Sequence, residues 1–362
     1  MNPIRHTLYL VTLALLLTAV VSAKAGPIEY TVVDLGTLPG GAKSSGIALG
    51  YGLSVVGGST NASGNIEAYY WHAGSMFGLG SLPGYDNSTA EGVTEFGPYL
   101  PVTVGYCYST LTAESGRAFV NVFGWMFDLG SLGGTASRAH AIVGQGFIVG
   151  ESVPGQAPDV WHAFRTQPYS YINPLTDDLG TLPGAVSSYA NAVNNRAQVT
   201  GNSGGRAYRT APFGVITASD ELGSLGGPFS VGLGINDRGT VVGLANTSVT
   251  SPVSGKPIDH AFFFDTSMHD LGTPPGFENS AAISINNAGV VVGYAANALV
   301  VNPHATVWDT THGMRDLNTL ISPRLNWVLQ IAKAINYRGE ITGWGLHGGQ
   351  LHAYLLRPIA GP

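Results

Sequence analysis

The chain has 362 residues, of which 51 are glycine, 10% are charged and 44% are hydrophobic. So little charge excludes long solvent-exposed helices, while the hydrophobic fraction supplies enough material for a large core. The formal net charge of -6 gives no electrostatic basis for binding nucleic acid or an anionic membrane.

The first 25 residues have the pattern of a secretory leader. Arg5 precedes an apolar stretch over residues 7–21, and small-x-small cleavage patterns end at Ala23 and Ala25. The apolar stretch is short for a membrane span, so a cleaved signal peptide (1–25) is preferred to an uncleaved anchor. We expect cleavage after Ala25, which leaves a single β-propeller domain over residues 26–362, secreted to the cell exterior or the periplasm.

Three short motifs recur in the same order after the leader, seven times each, with a repeat of roughly 47 residues. The first is DLG[TS]L, or a variant of it, followed by Pro-Gly or Gly-Gly; it begins at Asp34, Gly78, Asp128, Asp178, Glu221, Asp270 and Asp316. The second ends in a V-G or T-G pair, with its glycine at Gly57, Gly105, Gly150, Gly201, Gly243, Gly293 and Gly343. The third is an alanine before an aromatic residue or Thr, at Ala68, Ala118, Ala163, Ala207, Ala261, Ala305 and Ala353.

Each unit can be divided into four short strands. In the fourth unit YANAV and QVTG flank a turn at NNRA, the Ala-aromatic motif supplies a third strand, and the DLG motif ends a fourth. The period and the strand count predict an all-β, seven-bladed β-propeller with four antiparallel strands per blade. A solenoid is the alternative. The chain opens with a lone fourth strand at Tyr30 and lacks one after its last unit, so we expect the N-terminal strand to pair with the C-terminal blade.

These motifs resemble the HAF-repeat family of extracellular bacterial proteins. The sequence HAF itself stands at 162–164 and 260–262, and the closing segment 316–358 is similar to the usual last unit of that family. The organisation is also kelch-like. The resemblance implies an extracellular repeat protein, and it implies no particular biochemical activity because the family has none in common.

The sequence carries no common catalytic, phosphate-binding or EF-hand motif, so we predict no cofactor. The histidines of the third motif, His162, His260, His304 and His352, fall in different units and would be separated around a ring. We therefore predict repeated hydrogen bonds and no metal site there. The Asp of DLG is assigned to turn hydrogen bonding. Cys107, the one cysteine, is predicted to be a buried structural thiol.

Function is sought where the repeats differ. Two variable positions follow each Pro-Gly or Gly-Gly, and simple alternation places both on one side of the first strand. Blades 5 and 6 are apolar there. The polar residues at these positions are predicted to bind a ligand at one rim of the central opening; they are Glu91, Arg138, His140, Tyr189, Asn191 and Lys333.

The leading functional hypothesis is a non-catalytic extracellular binding or scaffold propeller that recognises carbohydrate or a protein partner. The alternative is an extracellular carbohydrate-active enzyme, a polysaccharide lyase or hydrolase, with its site at the mouth of the central channel. A lyase would need a base and an acid beside an arginine that neutralises the uronate. His140, Tyr189 and Arg138 have the chemical types for these roles. A structural matrix component is a third hypothesis. We expect the protein to be a monomer, to bind no nucleic acid and to have no membrane span after cleavage of the signal peptide.

Overall fold

The computed structural model describes residues 29–96, 100–110, 112–155 and 159–359; the predicted leader lies outside them. Within these residues 26 β-strands form seven antiparallel sheets, accompanied by three 3-10 helices of three residues each. The helices are Ala218–Asp220, Leu317–Thr319 and Pro323–Leu325. In the described part of the chain no helix has the length and apolar character to cross a membrane. The sheets are the blades of a seven-bladed β-propeller, as predicted.

Within each blade the strands are ordered outward from the central axis, with the first strand innermost. Blade 1 contains β2 (Ser44–Leu49), β3 (Val55–Thr60), β4 (Ile66–His72) and β5 (Ser75–Gly80). Blade 2 contains β6 (Asn87–Phe96), β7 (Leu100–Ser109), β8 (Thr112–Val122) and β9 (Trp125–Asp128). Blade 5 contains β16 (Gly226–Ile235), β17 (Val241–Thr250), β18 (Pro257–Phe264) and β19 (Met268–Gly272). Blade 6 contains β20 (Asn279–Ile285), β21 (Val291–Ala296), β22 (His304–Asp309) and β23 (Gly313–Asp316).

In blades 3 and 4 the fourth strand is reduced to a single bridge. Blade 3 contains β10 (Gly133–Ile142), β11 (Ile148–Pro154) and β12 (His162–Arg165), with the bridge between Phe164 and Asp178. Blade 4 contains β13 (Ser188–Val193), β14 (Val199–Ser203) and β15 (Arg206–Arg209), with the bridge between Tyr208 and Glu221.

Blade 7 joins the two ends of the chain. It contains β24 (Trp327–Ile335), β25 (Ile341–His347), β26 (Gln350–Pro358) and, as its outermost strand, β1 (Tyr30–Asp34). Tyr30 is paired with Pro358, and Asp34 is paired with Tyr354. The predicted closure by the N-terminal strand is therefore confirmed, and the ring has no unpaired edge between its first and last repeats.

The glycine of the second motif is required by a bulge in the first strand. In blade 3 the register shifts between Ala139 and Ala141, so His140 is an extra residue that has no paired residue on the neighbouring strand. The bulge turns the Arg138 carbonyl toward Gly150, where a Cβ atom would lie far inside van der Waals contact. Each of the other six blades has the same bulge opposite its motif glycine. A bulge bends a strand and redirects a side chain, and here it does so seven times.

In blades 1 to 6 a buried serine near the start of the first strand joins that strand to the preceding blade. Ser188 accepts a hydrogen bond from the Ala163 N–H at 2.8 Å and donates one to the Gly180 carbonyl at 2.6 Å. The same pair of bonds is made by Ser44, Ser88, Ser137, Ser230 and Ser280. The alanine and DLG motifs therefore have a structural role, because their backbone groups are satisfied across the junction between blades.

The hydrophobic core is distributed between neighbouring blades. Between blades 2 and 3, for example, Val104 and Ala118 pack with Ala139, Ile148 and Phe164. Cys107 is fully buried and its Sγ accepts the Leu82 N–H at 3.3 Å. Burial raises the pKa of its thiol to about 11. The predicted structural thiol is thus confirmed.

Candidate ligand site in the central channel

The seven bulged residues form a ring around the axis. They line one cavity of about 250 Å³ and are, from blade 1 to blade 7, Ile47, Glu91, His140, Asn191, Leu233, Ile283 and Lys333. Because every bulge occurs at the same point of its repeat, the side chains lie at one level of the channel. The structure thus brings together four of the six residues predicted from the sequence: Glu91, His140, Asn191 and Lys333.

The polar members of the ring are held by different contacts. Asn191 donates from Nδ2 to the Gly232 carbonyl at 2.8 Å, and Glu91 accepts from the Thr89 hydroxyl at 3.3 Å. The Lys333 ammonium lies 5.8 Å from the centre of the Trp344 ring, within cation–π range. The wall therefore offers an acid, a base and an amide in the consecutive blades 2 to 4, whereas the ammonium group of Lys333 lies in blade 7 between the aliphatic residues of blades 6 and 1.

His140 is tied to a carboxylate that sequence reasoning missed. Its Nε2 is hydrogen-bonded to the carboxylate of Glu151, a residue that is only 4% exposed. Burial alone would lower the pKa of His140, but the charges of Glu151 and Glu91 and the hydrogen bond outweigh burial, so its pKa is raised above 6.5. Glu151 directly follows the repeat glycine. It is the only charged residue at this position in the seven repeats, and that difference is the one sign in the sequence that could have identified it.

Arg138 and Tyr189 do not join the ring. They precede the bulge and pair across the sheet with Glu151 and Asn202. The Arg138 guanidinium lies 3.7 Å from Glu151 and between the rings of Tyr106 (5.4 Å) and Trp161 (5.1 Å). Simple alternation predicted that both variable positions line the opening. In the structure Arg138 and His140 both reach Glu151, but only the second position, that of the bulge, lines the channel cavity.

One mouth of the channel carries a second set of residues that sequence reasoning missed. The turns between the first and second strands line a cavity of about 260 Å³ there. We call its rim the hairpin mouth; it is formed by Tyr51, Asn195, Asp237, Asn287 and Tyr337. Tyr51 and Tyr337 are 53% and 54% exposed, and their ring centroids are 6.0 Å apart. These residues belong to blades 4, 5, 6, 7 and 1, which are contiguous around the ring.

The polar half of the hairpin mouth is rigidly hydrogen-bonded. Asp237 accepts from the Asn195 side chain at 3.1 Å and from Asn287 Nδ2 at 2.8 Å. Burial would raise the pKa of the Asp237 carboxyl, but these bonds and the Asn195 N–H lower it, so the group is a carboxylate. Beneath it, Asn194 and Asn236 each donate to the carbonyl of the next hairpin, at 2.9 and 3.3 Å. The sequence IN, followed after two further residues by glycine, stands at 235–239, 285–289 and 335–339 and could have located three blades of this rim, but such a sequence by itself indicates only a turn.

The histidines of the third motif make the predicted hydrogen bonds within their own blades. His162 Nδ1 lies 2.9 Å from Asp178, His260 Nδ1 2.8 Å from Asp270, and His304 Nδ1 2.6 Å from Asp316. Each of these Asp residues also accepts a backbone N–H two residues along, as at Gly180 (2.8 Å). The DLG carboxylate thus orders the turn, as expected.

Comparison with known proteins supports the fold. A family described as "Protein of unknown function (DUF3466)" matches residues 228–345, and no curated protein matches the chain. Over 90% of its length the chain is similar to the extracellular domain of the putative one component system BT4673 from B. thetaiotaomicron, with a TM-score of 0.53 and 10% identity. It spans 39% of that protein chain. It is also similar to YCF48 bound to D1 peptide, with a TM-score of 0.49 and 11% identity over 92% of this chain and 96% of that one. The chain is thus similar to a known extracellular domain in fold alone.

Proposed function

We propose that this chain is a non-catalytic extracellular binding propeller that takes a carbohydrate at the hairpin mouth. The observation that carries the proposal is the adjacency of two half-exposed tyrosines and a row of amide and carboxylate groups on one rim. An aromatic face packs against the C–H face of a sugar ring, and fixed amides and carboxylates pair with its hydroxyls. Few side-chain rotamers are lost on binding, because Asp237 and its neighbours are already hydrogen-bonded.

The channel ring lies beneath this mouth and would select what enters. Glu91 lines both cavities, so the end of a bound saccharide would meet Glu91 and then the polar side of the ring. A volume of about 250 Å³ suits one sugar unit or a small substituent more than a chain. The four ring residues predicted from the sequence thus become candidates for selectivity.

Location outside the cytoplasm is part of the proposal. The leader-like pattern over residues 1–25 supports it, and the similar extracellular domain is in accord with it. Membership of the HAF-repeat family, which the motifs indicate, belongs to the same proposal.

Binding is preferred to the lyase alternative because of Arg138. A lyase needs an arginine available to neutralise the uronate, whereas this guanidinium is close to the buried Glu151 and is covered by two aromatic rings.

The test is a glycan array with the secreted protein, followed by calorimetric titration of the best glycan. Tyr337→Ala and Tyr51→Ala should each weaken binding about tenfold, equivalent to ~1.4 kcal/mol. Trp125→Ala is the matched control, since Trp125 is a 74% exposed aromatic on the outer strand of blade 2. Equal binding by Tyr337→Ala and the parent protein would exclude the hairpin mouth. Release of unsaturated uronates from the bound glycan would replace the proposal with the lyase.

A further inference from the structure

A cluster of metal-ligating side chains lies where the two ends of the chain meet. Asp34 ends β1, His347 ends β25, and His352 lies in β26. One ligand atom from each of the three residues lies within 4.8 Å of the other two. The cluster is built on the outer three strands of blade 7, whereas the channel is lined by first strands. It is therefore independent of the proposed carbohydrate site.

The geometry of the three groups is close to that of a metal site. His347 Nδ1 lies 2.9 Å from one carboxylate oxygen of Asp34, and His352 Nδ1 lies 3.0 Å from both oxygens. Tetrahedral zinc, with ligands at about 2.0–2.2 Å, keeps its ligand atoms roughly 3.3 Å apart. An ion could therefore replace the hydrogen bonds with only small rotations of the side chains.

The carboxylate is held in place by the turn that follows β1. The Gly36 N–H donates to Asp34 Oδ1 at 2.9 Å. Outer hydrogen bonds of this type orient a ligand and favour its charged form.

His347 distinguishes this blade from the others. The His–Asp pair also occurs in blades 3, 5 and 6, where it is a hydrogen bond in the turn. At the fourth residue after the repeat glycine, those blades have Pro154, Thr247 and Asn297 in place of His347. A third nitrogen or oxygen ligand of this kind is not needed for the turn, which forms without it three times.

The His347 ring is also fixed in orientation. It stacks on Trp327 with ring centroids 4.7 Å apart and an interplanar angle of 3°. Trp327 in turn packs edge-on against the buried Tyr354 at 5.9 Å. The imidazole therefore presents Nδ1 to Asp34 from a fixed support, and fixed ligands bind metal more tightly than mobile ones.

We propose that Asp34, His347 and His352 bind one Zn²⁺ ion through the carboxylate and the two Nδ1 atoms. Two imidazoles and one carboxylate form a ligand set that zinc accepts, and three protein ligands leave its fourth position to water. In the bound state each ring carries its hydrogen on Nε2, since Nδ1 donates its lone pair to the ion. The ion would join β1 to β25 and β26 and so reinforce the closure of the ring.

The experiment uses the untagged secreted protein after treatment with EDTA. Zinc is titrated against a chromophoric chelator, and unfolding temperatures are measured with and without zinc. We expect one equivalent to bind and to raise the unfolding temperature. His347→Gln should lose more affinity than the roughly 10- to 100-fold that loss of an outer-sphere partner costs. Asp34→Asn is the second ligand variant and should lose binding as well.

His260→Gln is the matched control, because it breaks the same His–Asp pair in a blade without the third ligand. It should bind zinc as the parent does. The proposal is overturned if the parent binds no stoichiometric zinc, or if His347→Gln retains the parental affinity. Equal loss in His260→Gln would also overturn it. Glycan binding is measured on the same variants; loss of one activity without the other separates this site from the hairpin mouth.

Discussion

The first strands of blades 3 and 5 follow the same backbone course and carry opposite side-chain chemistry. Their first strands shift register at equivalent places, once near the opening glycine and once at the bulge. At three equivalent positions blade 3 carries Arg138, His140 and Glu151, and blade 5 carries Val231, Leu233 and Leu244. The comparison teaches that the motif residues determine the frame, while three variable positions determine what the channel wall offers.

The largest expected effect is the same in both blades. Gly150→Ala and Gly243→Ala each place a Cβ atom against a carbonyl of the first strand, and neither backbone can move without loss of the bulge. Each should lower the free energy of unfolding by about 3 kcal/mol or more, measured by urea denaturation.

Gly144→Ala is the control for that pair, since its Cβ would meet only ordinary contacts near 3.8 Å. It should change the free energy of unfolding by less than about 0.5 kcal/mol. A large difference between Gly150→Ala and Gly243→Ala would show that the two blades do not share one frame.

The next effect should differ between the blades. His140→Ala removes the hydrogen bond to the buried Glu151 and leaves that carboxylate with Arg138 at 3.7 Å. The cost should be about 1–3 kcal/mol. Leu233→Ala, at the matching position in blade 5, removes a partly exposed aliphatic group and should cost roughly 1 kcal/mol. Denaturation of the two variants side by side measures the difference, and equal losses would mean that Glu151 does not depend on His140.

A triple replacement tests whether the chemistry can be exchanged on the frame. Arg138→Val, His140→Leu and Glu151→Leu together give blade 3 the set found in blade 5. Because a buried ion cluster is often no more stabilising than apolar side chains of similar size, the free energy of unfolding should change by less than about 2 kcal/mol. The single variant Glu151→Leu should be worse than the triple one, since it leaves the Arg138 guanidinium and the His140 imidazole without the carboxylate that they share.

The smallest effect concerns pH. The pKa of His140 is raised in the folded state, so its contribution to stability is fully present below 6.5 and is lost as the pH rises through the raised value. His260, whose pKa is raised chiefly by its hydrogen bond to Asp270, acts in the same direction. The unfolding temperature should therefore fall as the pH rises above 6.5. His140→Gln should flatten this slope in part, and an unchanged slope would contradict the assignment.

The frame could be predicted from the sequence because it is repeated. Seven copies of three motifs identified the blades, and the unmatched strand at Tyr30 identified the closure. The position of Glu91, His140, Asn191 and Lys333 in the channel followed from the same periodicity. Arg138 and Tyr189 were grouped with them, but neither residue lines the channel cavity, because a one-residue bulge is not visible in an alternating pattern.

The remaining chemistry lies at residues that occur once. Glu151 and His347 each differ from their counterparts in the other blades. His347 meets Asp34, and Tyr51 meets Tyr337, only when parts of the chain that are distant in sequence come together. Tyr337 and Asn195 each follow an asparagine in the turn between the first and second strands. The turn alone explains that asparagine, so nothing in the sequence drew attention to the residue after it. Repetition therefore shows structure clearly, and it conceals the single substitutions that carry chemistry.

The pairing of β1 with β26 has a consequence for the order of folding. Tyr30, among the first residues of the fold to be synthesised, finds its partner only at Pro358, near the last. Closing so long a loop is entropically costly and makes the final step slow. We expect blades 1 to 6 to form while β1 is still unpaired. During that time both β1 and the incomplete blade 7 expose a strand edge. The protein is therefore most prone to aggregate once β26 has been synthesised and before β1 pairs with it.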